Sequence, residues 1–204
     1  MAKLIAIAGR SCAGKSTIAR ELARSLGAVV VPLDAYYRDL SHLPPEARER
    51  VNFDTPEAIE DALLAGDLER LLAGQTIERP AYDFTTHTRK KERVRVTPAP
   101  YVLLEGLFVW HWEPIRRLCS LRVYVEVEDE TALRRRLERD TRERGRSEDS
   151  VRRQFDSTVR PMAARYVLPL RRWADIVVDG TAPVEENVKR ILDRLGWRGA
   201  ARHA

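Results

Sequence analysis

Apolar and polar positions follow one another along the chain in two rhythms. Residues 3–8 (KLIAIA) form a short continuous apolar run, which reads as a buried strand. From Gly14 to Leu26 the rhythm changes: Ile18, Leu22 and Leu26 recur every fourth position, a helical interval, and Gly27 ends it. Residues 28–33 (AVVVPL) are strand-like again, with Pro32 arguing for the end of the run. Thr55-Pro56-Glu57 predicts a helix start, with Thr as cap and Pro at the first helical position, turning Ile59, Leu63 and Leu64 inward. Residues 101–104 and 121–127 predict further strands. Asp129-Glu130 opens a helix that carries Leu133 and Leu137, and residues 176–178 form a last strand before a helix near Val184–Leu195.

The rhythm differs between residues 75 and 98. Arg93-Val94-Arg95-Val96 alternates with period two, and residues 76–79 can pair with it as a hairpin. Strands separated by helices imply an α/β fold with a parallel sheet covered on both faces. The hairpin is then an insertion upon that sheet. No repeat stands out, and only residues 197–204 (WRGAARHA) have the look of a tail beyond a single domain spanning residues 1–196.

Composition narrows the class. The 204 residues suit one domain, and 44% hydrophobic with 33% charged residues describes an ordinary globular chain. No apolar run reaches the ~18 residues of a membrane span, and the first run is too short for a signal-peptide core. Two cysteines, Cys12 and Cys119, make neither a disulfide framework nor a metal cluster. The expected location is the cytoplasm, with no membrane partner. The net charge of +5 is uneven: residues 134–172 hold 13 Arg, no Lys and six acids, so the remainder is slightly acidic. A local anion site fits this better than a uniform nucleic-acid coat.

The chemistry starts at residues 9–16, GRSCAGKS, which match G-x-x-x-x-G-K-[ST] between a predicted strand and a predicted helix. Glycines let backbone N–H groups turn toward phosphate oxygens, Lys15 reaches the terminal phosphates, and the Ser16 hydroxyl suits Mg²⁺. The positive end of the following helix faces the same anion. Gly9, Ser11, Ala13, Gly14, Lys15, Ser16 and Thr17 thus make the expected phosphate-binding set, against the plainer alternative of a glycine-rich turn. Glu105, closing the strand YVLLE, and Asp34, after the second strand, are candidates for the magnesium shell beside Ser16. Each also has a simpler reading, a strand-end acid for Glu105 and a turn residue for Asp34.

Several motifs in order resemble the uridine kinase (uridine–cytidine kinase) family: GRSCAGKST, DAYY, NFDTPEA, YDFTTHTR, VLLEG, RDTRERGRS, and TVRP with ADIVV. The resemblance covers about residues 4–179. It implies a P-loop kinase fold with a five-stranded parallel sheet, a β-hairpin insertion and a mobile lid at about residues 139–152, commonly as a homotetramer. It implies transfer of the γ-phosphoryl group of ATP or GTP to the 5′-hydroxyl of uridine or cytidine, with Mg²⁺. Asp34 then matches the catalytic acid, alongside Lys15, and Arg139 and Arg144 of the lid are candidates for the triphosphate. Tyr37, Phe53, Tyr82 and Phe84 resemble the walls around the pyrimidine, with His87 and Tyr82 at its exocyclic edge. Asp54 resembles the ribose ligand, Gln154 a second ribose contact, and Arg136 and Arg146 acceptor-side arginines. Arg134 and Arg135 read as the solvated face of a helix. The sequence departs from the family pattern at Thr55, Glu57, Phe155 and Ala163. The alternatives are a phosphoribulokinase- or pantothenate-kinase-like enzyme, a P-loop GTPase switch and a basic RNA-binding protein.

Overall fold

A computed structural model describes residues 2–197, without the side chains of Glu143 and Arg144; residues 198–204 of the expected tail lie outside the described residues. The apolar run forms β1 (Lys3–Gly9), buried from its second residue onward. Burial on both faces is what a central parallel strand requires. After the phosphate loop come α1 (Lys15–Leu26) and β2 (Val29–Pro32), the latter ending at the proline. With β5 (Tyr101–Gly106), β6 (Cys119–Glu126) and β7 (Ile176–Asp179), these strands make a five-stranded sheet in the order β2-β5-β1-β6-β7. Every neighbouring pair is parallel, with Ile5 opposite both Leu103 and Leu121.

Alternation along β1 divides the core. Leu4, Ala6 and Ala8 pack toward Leu64, Leu68 and Trp110, whereas Ile5 and Ile7 pack toward Ile18, Leu22 and Ile191. The first layer includes α3 (Asp61–Leu72), and the second α1 and α8 (Val184–Leu195). A short helix, α2 (Pro45–Arg48), lies between the second strand and α3, and α4 (Glu113–Leu118) precedes β6.

The helix expected to open at Thr55-Pro56 is instead one 3₁₀ turn, Pro56–Ala58, without a side-chain cap from Thr55. Ile59 is extended and forms a bridge with Tyr37, flanked by Arg38 N–H to the Ala58 carbonyl (2.8 Å) and Glu60 N–H to the Tyr36 carbonyl (2.9 Å). Those long-range bonds use the backbone groups that a helix would need, so α3 starts only at Asp61. Ile59 is fully buried all the same.

The hairpin pairs β3 (Ile77–Asp83) with β4 (Thr88–Val96), Ile77 facing Val96, and a register shift falls between Pro80 and Tyr82. On the other side, α5 (Asp129–Arg144) ends at Gly145 in the left-handed region, and α6 (Glu148–Gln154) begins with Ser147 capping the Ser150 N–H. The helix then continues through a π turn, Phe155–Val159, a short α7 (Arg160–Met162), a second π turn, Ala163–Val167, and a 3₁₀ turn, Leu168–Trp173.

Candidate active site

A cleft of about 1330 Å³ opens at the carboxyl ends of the parallel strands, where open α/β sheets bind ligands. The phosphate loop forms its floor. Gly9 has φ 152°, and a Cβ there would lie 2.4 Å from the Val125 carbonyl oxygen, so the loop leaves the sheet only through glycine. Gly14 (φ 97°) aims the first turn of α1 at the loop, and the non-glycine Cys12 also takes a left-handed conformation (φ 63°). Lys15 is nearly buried and donates to the Arg10 carbonyl at 2.8 Å. Burial lowers its pKa, opposed by the charges of Glu105 and Asp34. Ser16 Oγ donates to Glu105 Oε1 at 3.1 Å. Burial raises the Glu105 pKa, with Asp34 adding to the effect and Lys15 opposing it.

Asp34 sits in the 3₁₀ turn Leu33–Tyr36 that follows β2. Its charge acts on Lys15, Tyr37, Asp54, Glu105 and Arg139, which puts it at the junction of the loop, the arginine-rich helix and the aromatic end of the cleft. At that end Tyr37 meets Phe53 (5.1 Å, edge-on) and Tyr82 (5.3 Å), and Tyr82 meets Phe84 (5.4 Å). The His87 ring stacks on Phe53 at 4.8 Å and 17°. His87 takes φ 54° just after a turn in which Asp83 Oδ1 accepts from the Thr85 N–H at 2.8 Å. The Tyr37 hydroxyl donates to the Phe53 carbonyl at 3.2 Å, while the Tyr82 hydroxyl is buried without a partner among the described residues. Burial, reinforced by Asp39, pushes the Tyr82 pKa up to about 12. Burial also raises the Asp54 pKa, against the pull of Arg136 and Arg139 and with the push of Asp34. Arg89 clamps the hairpin onto this wall, donating from Nε to the Tyr37 carbonyl (2.8 Å) and pairing with Glu60 (2.6 Å).

The arginine-rich helices close the third side. Asp140 is completely buried and accepts from Arg139 Nε at 2.8 Å, with Arg136 and Arg146 each 3.6 Å away. Arg136 also donates to Ser11 Oγ (3.1 Å) and to Gln154 Oε1 (2.9 Å), and Arg146 donates to the same Gln154 oxygen (2.6 Å). These arginines, Gln154 and the phosphate loop therefore form one connected network.

Of the residues singled out from the sequence, Ser11, Gly14, Lys15, Ser16, Thr17, Asp34 and Glu105 line the cleft. So do Tyr37, Phe53, Asp54, Tyr82, Phe84, His87, Arg136, Arg139, Arg146 and Gln154. Gly9 and Ala13 are buried behind the loop, and the Arg144 side chain lies outside the described residues. Arg135 corrects the sequence reading. Arg134 is exposed as expected, but Arg135 turns into the cleft and donates to the Cys12 carbonyl at 3.4 Å. Sequence reasoning also missed Asp140, Asn187, and the ion pair of the loop residue Arg10 with Asp129 at the start of α5. Asp140 had a signal, as an acid in RDTRERGR placed four residues after Arg136 and one after Arg139.

The sequence profile of the family described as Phosphoribulokinase / Uridine kinase matches residues 4–185. A protein of Lactobacillus helveticus (strain DPC 4571) named uridine kinase is 44% identical over 179 residues, covering 86% of this chain and 85% of that protein. One of the same name from Halobacterium salinarum (strain ATCC 700922 / JCM 11081 / NRC-1) is 43% identical over 187 residues, covering 90% and 83%. Among solved structures, a kinase from Silicibacter sp. TM1040 named for a fructose transport system superposes with a TM-score of 0.70 at 21% identity, covering 87% of this chain and 89% of that one. The architecture is thus that of the P-loop kinases.

Proposed function

Because the chain belongs to the phosphoribulokinase / uridine kinase family, we propose that it moves the γ-phosphoryl group of ATP or GTP onto the 5′-hydroxyl of uridine or cytidine. The observation that carries this is one cleft with two unlike ends. Lys15, Ser16 and Glu105 lie at the phosphate loop, an aromatic box lies opposite, and Asp34 acts electrostatically on both. A box of aromatic rings suits a planar base and offers little to a sugar phosphate or to pantothenate, which argues against those sister reactions.

Phosphoryl transfer is mainly positioning and charge neutralisation. Tyr37, Phe53, Tyr82 and Phe84 hold the pyrimidine. His87 and the unpartnered Tyr82 hydroxyl face its exocyclic edge, where an imidazole can donate to O4 or accept from N4. Asp54 accepts from the ribose hydroxyls, with Gln154 as a second contact. Asp34 orients the 5′-hydroxyl and takes its proton. Lys15, Arg139 and Arg144 neutralise the triphosphate, and Arg136 and Arg146 tie the lid to Ser11 and Gln154. Closure of the lid excludes water and so limits hydrolysis of the donor.

The oxygen-only set of Ser16, Glu105 and Asp34 fits Mg²⁺, which commonly takes one or two protein oxygens and completes its shell with phosphates and water. The described residues accordingly need no cluster of three acidic, His or Cys ligands, and they contain none. Ser16, Glu105 and Asp34 would hold such an ion, which would supply positive charge against the triphosphate. We further propose a role in pyrimidine salvage, a cytoplasmic location, a homotetramer, and small molecules rather than nucleic acids as partners. Among the described residues no helix is long and apolar enough to cross a membrane.

The test is an ADP-release assay with uridine, cytidine, deoxycytidine, adenosine and no acceptor. Turnover is expected with uridine or cytidine; its absence with both overturns the assignment.

A further inference from the structure

The hairpin reaches the cleft through its tip, where Tyr82, Phe84 and His87 line the aromatic end. A two-stranded hairpin is marginal by itself. His87, moreover, is a non-glycine residue at φ 54°, a conformation that persists only where its surroundings hold it. The loop between Asp39 and Arg48 supplies that hold on both sides of the residue. Before it, Arg48, the last residue of α2, donates to the Thr86 carbonyl at 3.3 Å. That carbonyl belongs to the peptide plane from which His87 turns. After it, Asp39 Oδ1 accepts from the Arg89 N–H at 3.0 Å. Arg48 also stiffens its own loop, donating from Nε to the Leu43 carbonyl (2.8 Å) and from its other terminal nitrogen to the Ser41 carbonyl (3.1 Å). Ser41 Oγ in turn donates to Asp39 (2.6 Å), which closes a circuit of bonds around His87.

We propose that Arg48 is a positioning residue for the nucleoside: by holding the Thr86–His87 peptide it keeps the His87 ring stacked on Phe53, and so sets how tightly the base edge is bound. The inference rests on the kinase reading, in which His87 meets that edge. One guanidinium serves three carbonyls drawn from two separate segments, a task that suits the fixed, planar donors of arginine. Arg48 does not itself line the cleft, so its effect reaches the base through the tip. A side chain already in place when the ligand arrives spares the cost of ordering it on binding. Loss of the Arg48 bonds frees the tip without touching Lys15, Ser16 or Asp34. Nucleoside binding then weakens while the donor site and the chemical step are kept.

Steady-state kinetics of the intact protein with uridine, cytidine and ATP test this. Arg48→Met, which keeps the aliphatic stem, and Arg48→Ala are both followed, so that a folding defect in one leaves the other. Each is expected to raise KM for the nucleosides by about 5–10-fold and to leave kcat and KM for ATP within about twofold. Added to His87→Ala, either change is expected to do nothing more, because residues that act through one another are not additive. An unchanged nucleoside KM overturns the assignment. So does a rise of the same size in the His87→Ala background, or in KM for ATP. A second readout needs no substrate: the ring-current shift that Phe53 imposes on the His87 ring protons in NMR spectra. It is expected to shrink toward the value of an exposed imidazole in both Arg48 variants, and its persistence overturns the assignment. Failure of the kinase reading registers separately, as no ADP release by the parent with either nucleoside.

Discussion

On the proposed reading, Asp34 is the residue on which turnover depends most directly, since its charge reaches both ends of the cleft. Asp34→Asn is expected to lower kcat by ~10²–10⁴-fold while the affinity for ATP changes little, as steady-state kinetics beside calorimetry will show. Asp54 makes a different point, because partial desolvation of this half-buried carboxylate, with the charge of Asp34 added, raises its pKa. A carboxyl group whose folded pKa exceeds its unfolded value contributes stability below the ordinary carboxylate range and loses it as pH rises through the raised value. Asp54→Asn is neutral at every pH. Its melting temperature should therefore exceed that of the parent at neutral pH, and the gap should close on acidification. The same variant should lose ribonucleoside binding. At this scale the sequence was most readable where spacing alone dictates chemistry, as at Lys15 and Ser16 in the phosphate loop. It was silent where helix rotation decides: Arg134 and Arg135 are adjacent and alike, yet only one reaches the cleft.

Among the elements, the arginine-rich turn between α5 and α6 is organised from within. Asp140 gathers Arg136, Arg139 and Arg146, and the N–H groups of Gly145 and Arg146 close on its main-chain carbonyl. Asp140→Asn keeps the shape and removes the charge that holds the three guanidinium groups. It is expected to lower kcat/KM by about 10–100-fold with an unchanged circular-dichroism spectrum. The strands and the helices α1 and α8 were legible because burial on one or both faces writes a period into the sequence. The Thr55-Pro56 start was misread because a cap-like local signal gave way to the distant pairing of Tyr37 with Ile59. The π turns after Gln154 carry no propensity distinct from that of an α-helix, so local pattern could not reveal them, although Ser157 and Thr158 of the first line the cleft.

At the scale of the whole molecule, the surplus of arginine is largely engaged. Arg160 pairs with Asp129 and Asp156, Arg171 with Glu126, and Arg152 with Glu148, in addition to the three on Asp140. Of the others, Arg135 and Arg153 line the cleft, whereas Arg134, Arg165 and Arg172 are exposed. Ligands that fill the cleft should stabilise the fold as a whole. Uridine at about one hundred times its dissociation constant is expected to raise the melting temperature by about 5–10 °C, measured by scanning calorimetry. Deoxyuridine at the same concentration should do markedly less, since it offers Asp54 one hydroxyl fewer.

The sheet order has a consequence in time. β1 is the central strand, yet both of its partners, β5 and β6, start only at Tyr101 and Cys119. During synthesis at ~5–20 residues per second, the most apolar strand of the protein waits roughly 5–25 seconds for a neighbour. Its backbone stays unpaired for that interval, and the phosphate loop, which hangs from its end, has no support. A nascent chain that ends before Tyr101 therefore holds the whole phosphate-binding motif and neither of the strands that pair with β1.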